Sequence, residues 1–234
     1  MTAVLKSHQH DFFKVVPFDD KKTKVAKLDL SQSNKSFAGD VFTDTATFSM
    51  FIDHKLAIEK AAYLIGGYNE NRQMYSRSEL FDKNLPGWED KNEEPRTVHL
   101  GTDIWGAIGT KIYAPLGGMV HSFAFNNNYG DYGATIILQH QLDTWNFYTL
   151  YGHLSLKDIG HLREGQFISR GENFAHFGPP AENGNWPAHL HFQVILDIGN
   201  YEGDYPGVCK FSEADKYLVN SPDPDLILHM DQYI

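Results

Sequence analysis

Residues 186–194, "WPAHLHFQV", decide the fold. Apolar and polar residues alternate here, and a period of two is typical of a β-strand. Leu190 and Phe192 would then face a core, whereas His189 and His191 would share the opposite face. The ordinary explanation for one such histidine is a half-exposed strand, so the pair has to be interpreted together with the rest of the chain.

Composition and charge restrict the possible functions. The chain has 234 residues, of which 41% are hydrophobic and 14% aromatic, so it can bury one good core with a small accessory lobe. Its net charge of -10 argues against binding to nucleic acid or to an anionic membrane surface. The single cysteine, Cys209, excludes an intramolecular disulfide and a cysteine-based zinc site.

The sequence contains no run of about 18 or more apolar residues, so we expect no integral membrane segment. The N-terminus lacks a continuous apolar stretch of signal-peptide length. The default expectation is therefore a cytoplasmic protein.

The pattern of turns and apolar runs predicts three segments. Residues 1–90 form an α/β extension, with short strands at "DFFKVVPF" and "KVAKLDLS" and one helix over about residues 45–65. The acidic, proline-bearing stretch "LPGWEDKNEEP" marks the boundary near residue 90. Residues 91–200 contain short strands separated by glycine-rich turns, and residues 201–234 form an irregular tail packed on the core. The sequence therefore predicts a mainly β protein, α+β overall, with a small antiparallel sheet as its core.

Two further motifs place metal-binding residue types before the histidine pair. "HLGTDIW" contains His99 and Asp103, and "LYGHLS" contains His153 at the end of an aromatic-rich strand. Hydrolytic zinc sites commonly use three nitrogen or oxygen ligands and keep one position open. His99, Asp103 and one of the two histidines at 189 and 191 would complete such a set. Two histidines would then lie beside the ion, namely His153 and the other member of the pair. They could take a proton from the metal-bound water.

The four stretches "HLGTDIWGAIGTKIYAPLGGMV", "YGATIILQH", "YTLYGHLS" and "HLHFQV" resemble, in order and approximate spacing, the successive motifs of the lysostaphin/LytM-type zinc metallopeptidases. This group, also called the beta-lytic group, cleaves peptidoglycan. The resemblance covers about residues 95–195 and implies a groove over the sheet that holds one zinc ion per chain. It implies zinc ligation by His99, Asp103 and His191, and catalytic roles for His153 and His189.

The resemblance also implies a function: a zinc-dependent metalloendopeptidase that hydrolyses peptide bonds in peptidoglycan cross-links by activating water. Two alternatives stay open. One is an intracellular peptidase or amidase that acts on a small peptide or amide, and the other is a non-catalytic zinc-binding recognition module of the same fold. Most relatives are exported, so a periplasmic or extracellular location is the alternative to the cytoplasm. "GGYNENRQMYS", "NGNWPAHLHFQV" and "DYPGV" are similar to a subgroup whose metallopeptidase-like domain is also found fused to aminotransferase and kinase-like domains.

The stretch "GGYNENRQMYS" is polar and aromatic, and we interpret it as one wall of the substrate groove. The loop before the histidine pair is expected to reshape the same groove. The residues predicted to line it are Tyr68, Asn69, Arg72, Tyr75 and Trp186. The ordinary alternative for the first stretch is a surface loop with solvated charges. A side chain such as Asn69 or Glu70 could also fill the open position of the ion.

Overall fold

The structure, a computed structural model, describes residues 1–35, 41–42, 44–78, 80–81 and 94–234. The strands in this part of the chain are β1 Val25–Lys27, β2 Tyr63–Gly66, β3 Glu70–Asn71, β4 Arg96–His99, β5 Thr102–Trp105, β6 Lys111–Tyr113, β7 Gly118–Asn126, β8 Gly133–Leu142, β9 Trp145–Leu154, β10 Phe167–Ile168, β11 Asn173–His176, β12 His189–Ile195 and β13 Val208–Lys210. The α-helices are α1 Thr2–Ser7, α2 Thr45–Glu59, α3 Leu156–Ile159, α4 Ala214–Asn220 and α5 Asp225–Leu228.

A large sheet organises the molecule. Its eight strands lie in the order β1-β2-β5-β12-β9-β8-β7-β10. All neighbouring pairs are antiparallel except β1 and β2, which are parallel. Two smaller sheets accompany it, β11-β6 and β13-β4-β3. The prediction of a mainly β protein with an antiparallel core is confirmed.

Strand β12 lies in the interior of the large sheet and is buried on both faces. Leu190, Phe192 and Val194 belong to the main hydrophobic core. The opposite face carries His189 and His191, each no more than 3% exposed. The alternation therefore marks two buried faces, one apolar and one polar, and not a half-exposed strand.

In the N-terminal region the predicted helix is present but ends earlier than predicted, and one predicted strand is wrong. The helix α2 ends at Glu59, where Lys60 adopts a left-handed conformation with φ of 50°. Residues 63–66 then form β2, because this buried apolar run pairs with β5 in the large sheet. "DFFKVVPF" forms no strand, although Phe12 and Val15 are buried in the core. "KVAKLDLS" does contain a strand, the three residues of β1.

The predicted boundary near residue 90 lies outside the described residues, which resume at residue 94. Strands β1 and β2 join the same sheet as the later strands. The last segment is more regular than the sequence predicts, since it contains β13, α4 and α5, and it packs Ile227, Leu228 and Met230 into the main core. The division into three segments stays a prediction.

None of the described helices combines the length and the hydropathy needed to cross a membrane.

Candidate active site

Strand register brings three predicted metal ligands together. Asp103 in β5 lies opposite His191 in β12, and His99 is the last residue of β4. His99 Nε2 is 2.8 Å from His191 Nδ1, and Asp103 Oδ1 is 3.3 Å from both nitrogens. All three side chains are about 2% exposed. Within the described part of the chain, this is the one group of histidine, cysteine and acidic residues that could hold a metal ion.

Hydrogen bonds at the far side of each ring set the tautomers. The Nδ1–H of His99 donates to the carbonyl oxygen of Gly67 at 2.9 Å. The Nε2–H of His191 donates to Gln193 Oε1 at 3.0 Å. His99 Nε2 and His191 Nδ1 are therefore both lone-pair donors, although they lie at contact distance, and Asp103 Oδ1 is buried without a hydrogen bond among the described residues. With these tautomers three lone pairs converge, an arrangement that favours a cation between them.

A tetrahedral zinc ion fits this group. Ligand bonds of about 2.0–2.1 Å place neighbouring ligand atoms roughly 3.3 Å apart. The two distances from Asp103 Oδ1 have this value, whereas the two histidine nitrogens, 2.8 Å apart, would have to separate slightly. Two imidazoles and one carboxylate are a donor set typical of zinc, and each histidine has the second hydrogen bond that orients a metal ligand.

Electrostatics keep these ligands in the protonation state that metal binding needs. Burial lowers the pKa of His99 to about 3, and the nearby charge of Arg72 adds to this shift. Burial opposes ionisation of Asp103, but His99 and the Arg72 guanidinium hold the pKa of this carboxyl well below its usual value. At neutral pH the carboxyl is ionised and the imidazole of His99 is neutral.

The two predicted catalytic histidines lie side by side next to the ligand group. The ring centroids of His153 and His189 are 4.1 Å apart. His153 Nδ1–H donates to the carbonyl of Asn183 at 2.8 Å, and His189 Nδ1–H donates to the carbonyl of Pro187 at 2.7 Å. Each ring therefore keeps its Nε2 lone pair free to accept a proton. Trp105 stacks on His189 with centroids 3.9 Å apart and fixes its plane.

Burial keeps both rings neutral. It lowers the pKa of His189 to about 4. It also lowers the pKa of His153 well below its ordinary value, and the neighbouring His189 and His191 add to that shift. Two neutral imidazoles beside a metal group can act as general bases at neutral pH.

The loop at residues 178–187 orients both predicted catalytic histidines, a role that the sequence interpretation missed. Asn183 is fully buried, and its side-chain amide donates to the carbonyls of Gly178 and Trp186 and accepts from the backbone N–H of Trp186. The carbonyls that bind the two imidazoles come from this loop. The Asn183-Gly184 dipeptide was an available turn signal, but it does not show which carbonyls the turn presents.

His153 has a left-handed backbone with φ of 64° at the end of β9. Such a conformation costs about 1 kcal/mol or more for a residue other than glycine. Hydrogen bonds hold the residue on both sides: its N–H donates to the carbonyl of Tyr132, and its own carbonyl accepts from Gly178. The strained backbone therefore serves to direct the imidazole.

A cavity of about 330 Å³ opens over the ligand group. Three of the five predicted groove residues line it, namely Arg72, Tyr75 and Trp186. Tyr68 and Asn69 are not among its lining residues. The Tyr68 hydroxyl donates to the carbonyl of Ser221 instead. Lining residues that the sequence interpretation did not identify include Tyr132, Tyr201, Asp204 and Tyr205.

The sheet, the three converging lone pairs and the two neutral imidazoles define the candidate centre of a metallohydrolase. Residues 97–202 match peptidase family M23, and they contain all five predicted ligand and catalytic residues. We call this matching segment the M23 domain, and the predicted family resemblance is confirmed over it. The proposed link to a subgroup of fused domains stays without support.

One curated relative is an L-Ala–D-Glu endopeptidase of Bacillus subtilis (strain 168), 28% identical over 115 residues. The match covers 47% of this chain and 33% of the relative, so the chain matches only about a third of the relative's length. Among solved structures, a zinc-containing peptidase from Vibrio cholerae is 29% identical, with a TM-score of 0.34 and coverage of 43% of this chain and 28% of the other. The catalytic domain of lysostaphin from Staphylococcus simulans is 18% identical, with a TM-score of 0.40 and coverage of 72% and 96%.

Proposed function

We propose that the protein is a zinc-dependent endopeptidase that cleaves peptide bonds in peptidoglycan. One observation supports this most strongly: two histidine nitrogens and a carboxylate oxygen converge beside two further buried histidines, and all five side chains line one cavity. A purely structural group would not need two further imidazoles with free lone pairs at its side.

His99 Nε2, Asp103 Oδ1 and His191 Nδ1 would hold the ion. When bound, zinc supplies Lewis acidity, which lowers the pKa of water and polarises a carbonyl group. The Nε2 atoms of His153 and His189 are the proton acceptors of the site: one accepts a proton from the attacking water, and a protonated imidazole then donates to the leaving amine. Their Nδ1 hydrogen bonds to loop carbonyls hold the rings in place during both transfers.

The cavity walls are suited to a peptide. Tyr75, Trp186 and Tyr205 present aromatic surface, and Asp204 adds a polar group. The Bacillus relative, whose name specifies the L-Ala–D-Glu bond, supports a peptide of the bacterial wall as the substrate class.

The test is release of soluble fragments from purified peptidoglycan. We expect zinc-loaded wild-type protein to release fragments, a chelator to stop release, and added zinc to restore it. His153→Ala should lower the rate at least 100-fold, because removing a general base commonly costs 10²–10⁴. His161→Ala, which removes an exposed histidine, is the matched control and should leave the rate unchanged.

No release by a protein that holds one equivalent of zinc would contradict the peptidoglycan substrate, and a panel of small peptides and amides would then be tested. Failure to hydrolyse any member of that panel would contradict the hydrolase itself and favour a zinc-binding recognition module.

A further inference from the structure

A buried ionic network lies next to the ligand group. Arg72 is 1% exposed, and its guanidinium contacts two carboxylates: Nε donates to Glu70 Oε2 at 2.6 Å, and Nη1 donates to Asp103 Oδ2 at 2.6 Å. Nη1 also lies 3.3 Å from the hydroxyl of Tyr75. Arg72 and Glu70 both precede residues 97–202, so this network joins the M23 domain to the segment before it.

In this network the two carboxylate oxygens of Asp103 have different partners. Oδ2 is committed to the guanidinium, whereas Oδ1 faces His99 Nε2 and His191 Nδ1. A carboxylate held this way presents Oδ1 to an ion and keeps Oδ2 turned toward the guanidinium. Without the guanidinium, the same carboxylate could rotate and offer both oxygens, which would change the coordination number.

The backbone fixes Arg72 in this place. Its N–H donates to the carbonyl of Thr97 at 2.9 Å. Gly67 leaves room for the guanidinium, since a Cβ there would lie 1.7 Å from Arg72 Nη2. The carbonyl of Gly67 is the acceptor that sets the tautomer of His99. One short segment, residues 67–72, therefore orients two of the three ligands.

We propose that Arg72 is a positioning residue that, held by Glu70, makes Asp103 a single-oxygen ligand and so keeps the ion four-coordinate with one position open. This inference rests on the proposed function, because it concerns the same ion. It differs from an ordinary buried ion pair in its consequence: loss of Arg72 changes the ligand geometry and not only the stability of the fold.

The experiment compares cobalt(II)-substituted proteins by visible absorption, because four-coordinate cobalt absorbs several-fold more strongly than cobalt of higher coordination number. Zinc affinity is measured on the same proteins by competition with a chelator. The variants are Arg72→Met, which removes the charge, and Arg72→Lys, whose single ammonium cannot bridge two carboxylates in a fixed geometry. Arg96→Met is the matched control, because Arg96 lines the same cavity but donates to the carbonyl of Leu80.

We expect an intense band in the wild type and in Arg96→Met. Arg72→Met should show a several-fold weaker, shifted band and a 10–100-fold loss of zinc affinity, the usual effect of losing a residue that orients a metal ligand. Arg72→Lys should show an altered band with a smaller loss of affinity. If Arg72→Met does not fold, the cobalt spectrum of Arg72→Lys tests the positioning role of Arg72 instead.

A folded Arg72 variant with the wild-type spectrum and wild-type affinity would overturn the positioning role while leaving the proposed function intact. A wild-type protein that binds neither cobalt nor zinc would instead overturn the proposed function, and the role of Arg72 with it.

Discussion

Gln193 offers a sharp test of how the metal centre is oriented. The side chain of Gln193 is fully buried, and its Oε1 accepts a hydrogen bond from His191 Nε2 at 3.0 Å. Its Nε2 donates to the carbonyl of Pro206 at 3.1 Å and to Ser221 Oγ at 2.9 Å. Gln193→Met keeps the approximate size and removes all three contacts. The hydroxyl of Tyr132, 3.4 Å from His191 Nε2, is too distant to replace the lost acceptor fully.

Two separate magnitudes follow. Loss of the acceptor leaves the tautomer of His191 unfixed and should weaken zinc binding 10–100-fold, about 1.4–2.8 kcal/mol. Loss of the two donated bonds leaves buried acceptors without partners and should lower the free energy of unfolding of the metal-free protein by about 1–3 kcal/mol. Zinc affinity is measured by chelator competition, and stability by urea unfolding in the presence of a chelator.

Gln193→Glu separates the two effects. A carboxylate still accepts from His191 Nε2, so zinc affinity should stay within about threefold of wild type, as expected when the orienting acceptor is kept. It cannot donate to Pro206 or Ser221, so stability should fall as in Gln193→Met. Equal zinc affinity in the two variants would refute the assignment of His191 Nδ1 as the ligand atom.

Three further predictions concern other parts of the structure. Burial lowers the pKa of His140 to about 4. Between pH 6.5 and 4 the unfolded chain therefore binds more protons at this residue than the folded protein does. The contribution of neutral His140 to stability is complete above pH 6.5 and is lost as the pH falls toward 4. In metal-free protein, urea unfolding at pH 7.5 and 4.5 should show a loss roughly 2–3 kcal/mol smaller in His140→Gln than in wild type. Equal losses would contradict the assignment. Gly101→Ala should weaken zinc binding at least roughly tenfold in a competition assay, because the new Cβ would lie 2.6 Å from the ring of His191; unchanged affinity would contradict the tight packing. Asn183→Ala should lower the free energy of unfolding by about 2–4 kcal/mol and reduce kcat while zinc affinity is retained, since the Asn183 side chain bonds to the loop backbone that orients His153 and His189. Loss of zinc binding with unchanged kcat would contradict this role.

The core elements of the site could be predicted because their information is local. Alternation in "HLHFQV" places His189 and His191 on one face of a strand whatever the rest of the fold. The order of the motifs then supplies His99, Asp103 and His153. The large antiparallel sheet follows from the same short apolar runs and glycine-rich turns.

The residues that orient the site could not be predicted, because their roles depend on contacts between distant parts of the chain. Gly67 and Gln193 act through single hydrogen bonds to His99 and His191. Arg72 was interpreted as a groove residue, and it does line the cavity, but its burial and its ion pair with Asp103 were not predicted. Nothing in "GGYNENRQMYS" shows that its arginine reaches a carboxylate 31 residues later in the sequence.

The end of helix α2 was misjudged for a related reason. Apolar residues at 61, 62 and 65 continue the helical spacing, but residues 63–66 gain backbone partners in β5. Tertiary pairing here overrides the local pattern, and the left-handed Lys60 ends the helix.

Anomalous diffraction from zinc-soaked crystals, recorded on both sides of the zinc absorption edge, tests the metal centre most directly. One strong peak per chain is predicted, at about 2.0–2.2 Å from His99 Nε2, Asp103 Oδ1 and His191 Nδ1. The absence of a peak at this group in crystals that contain zinc, or a peak on His191 Nε2 in place of Nδ1, would contradict the proposed centre.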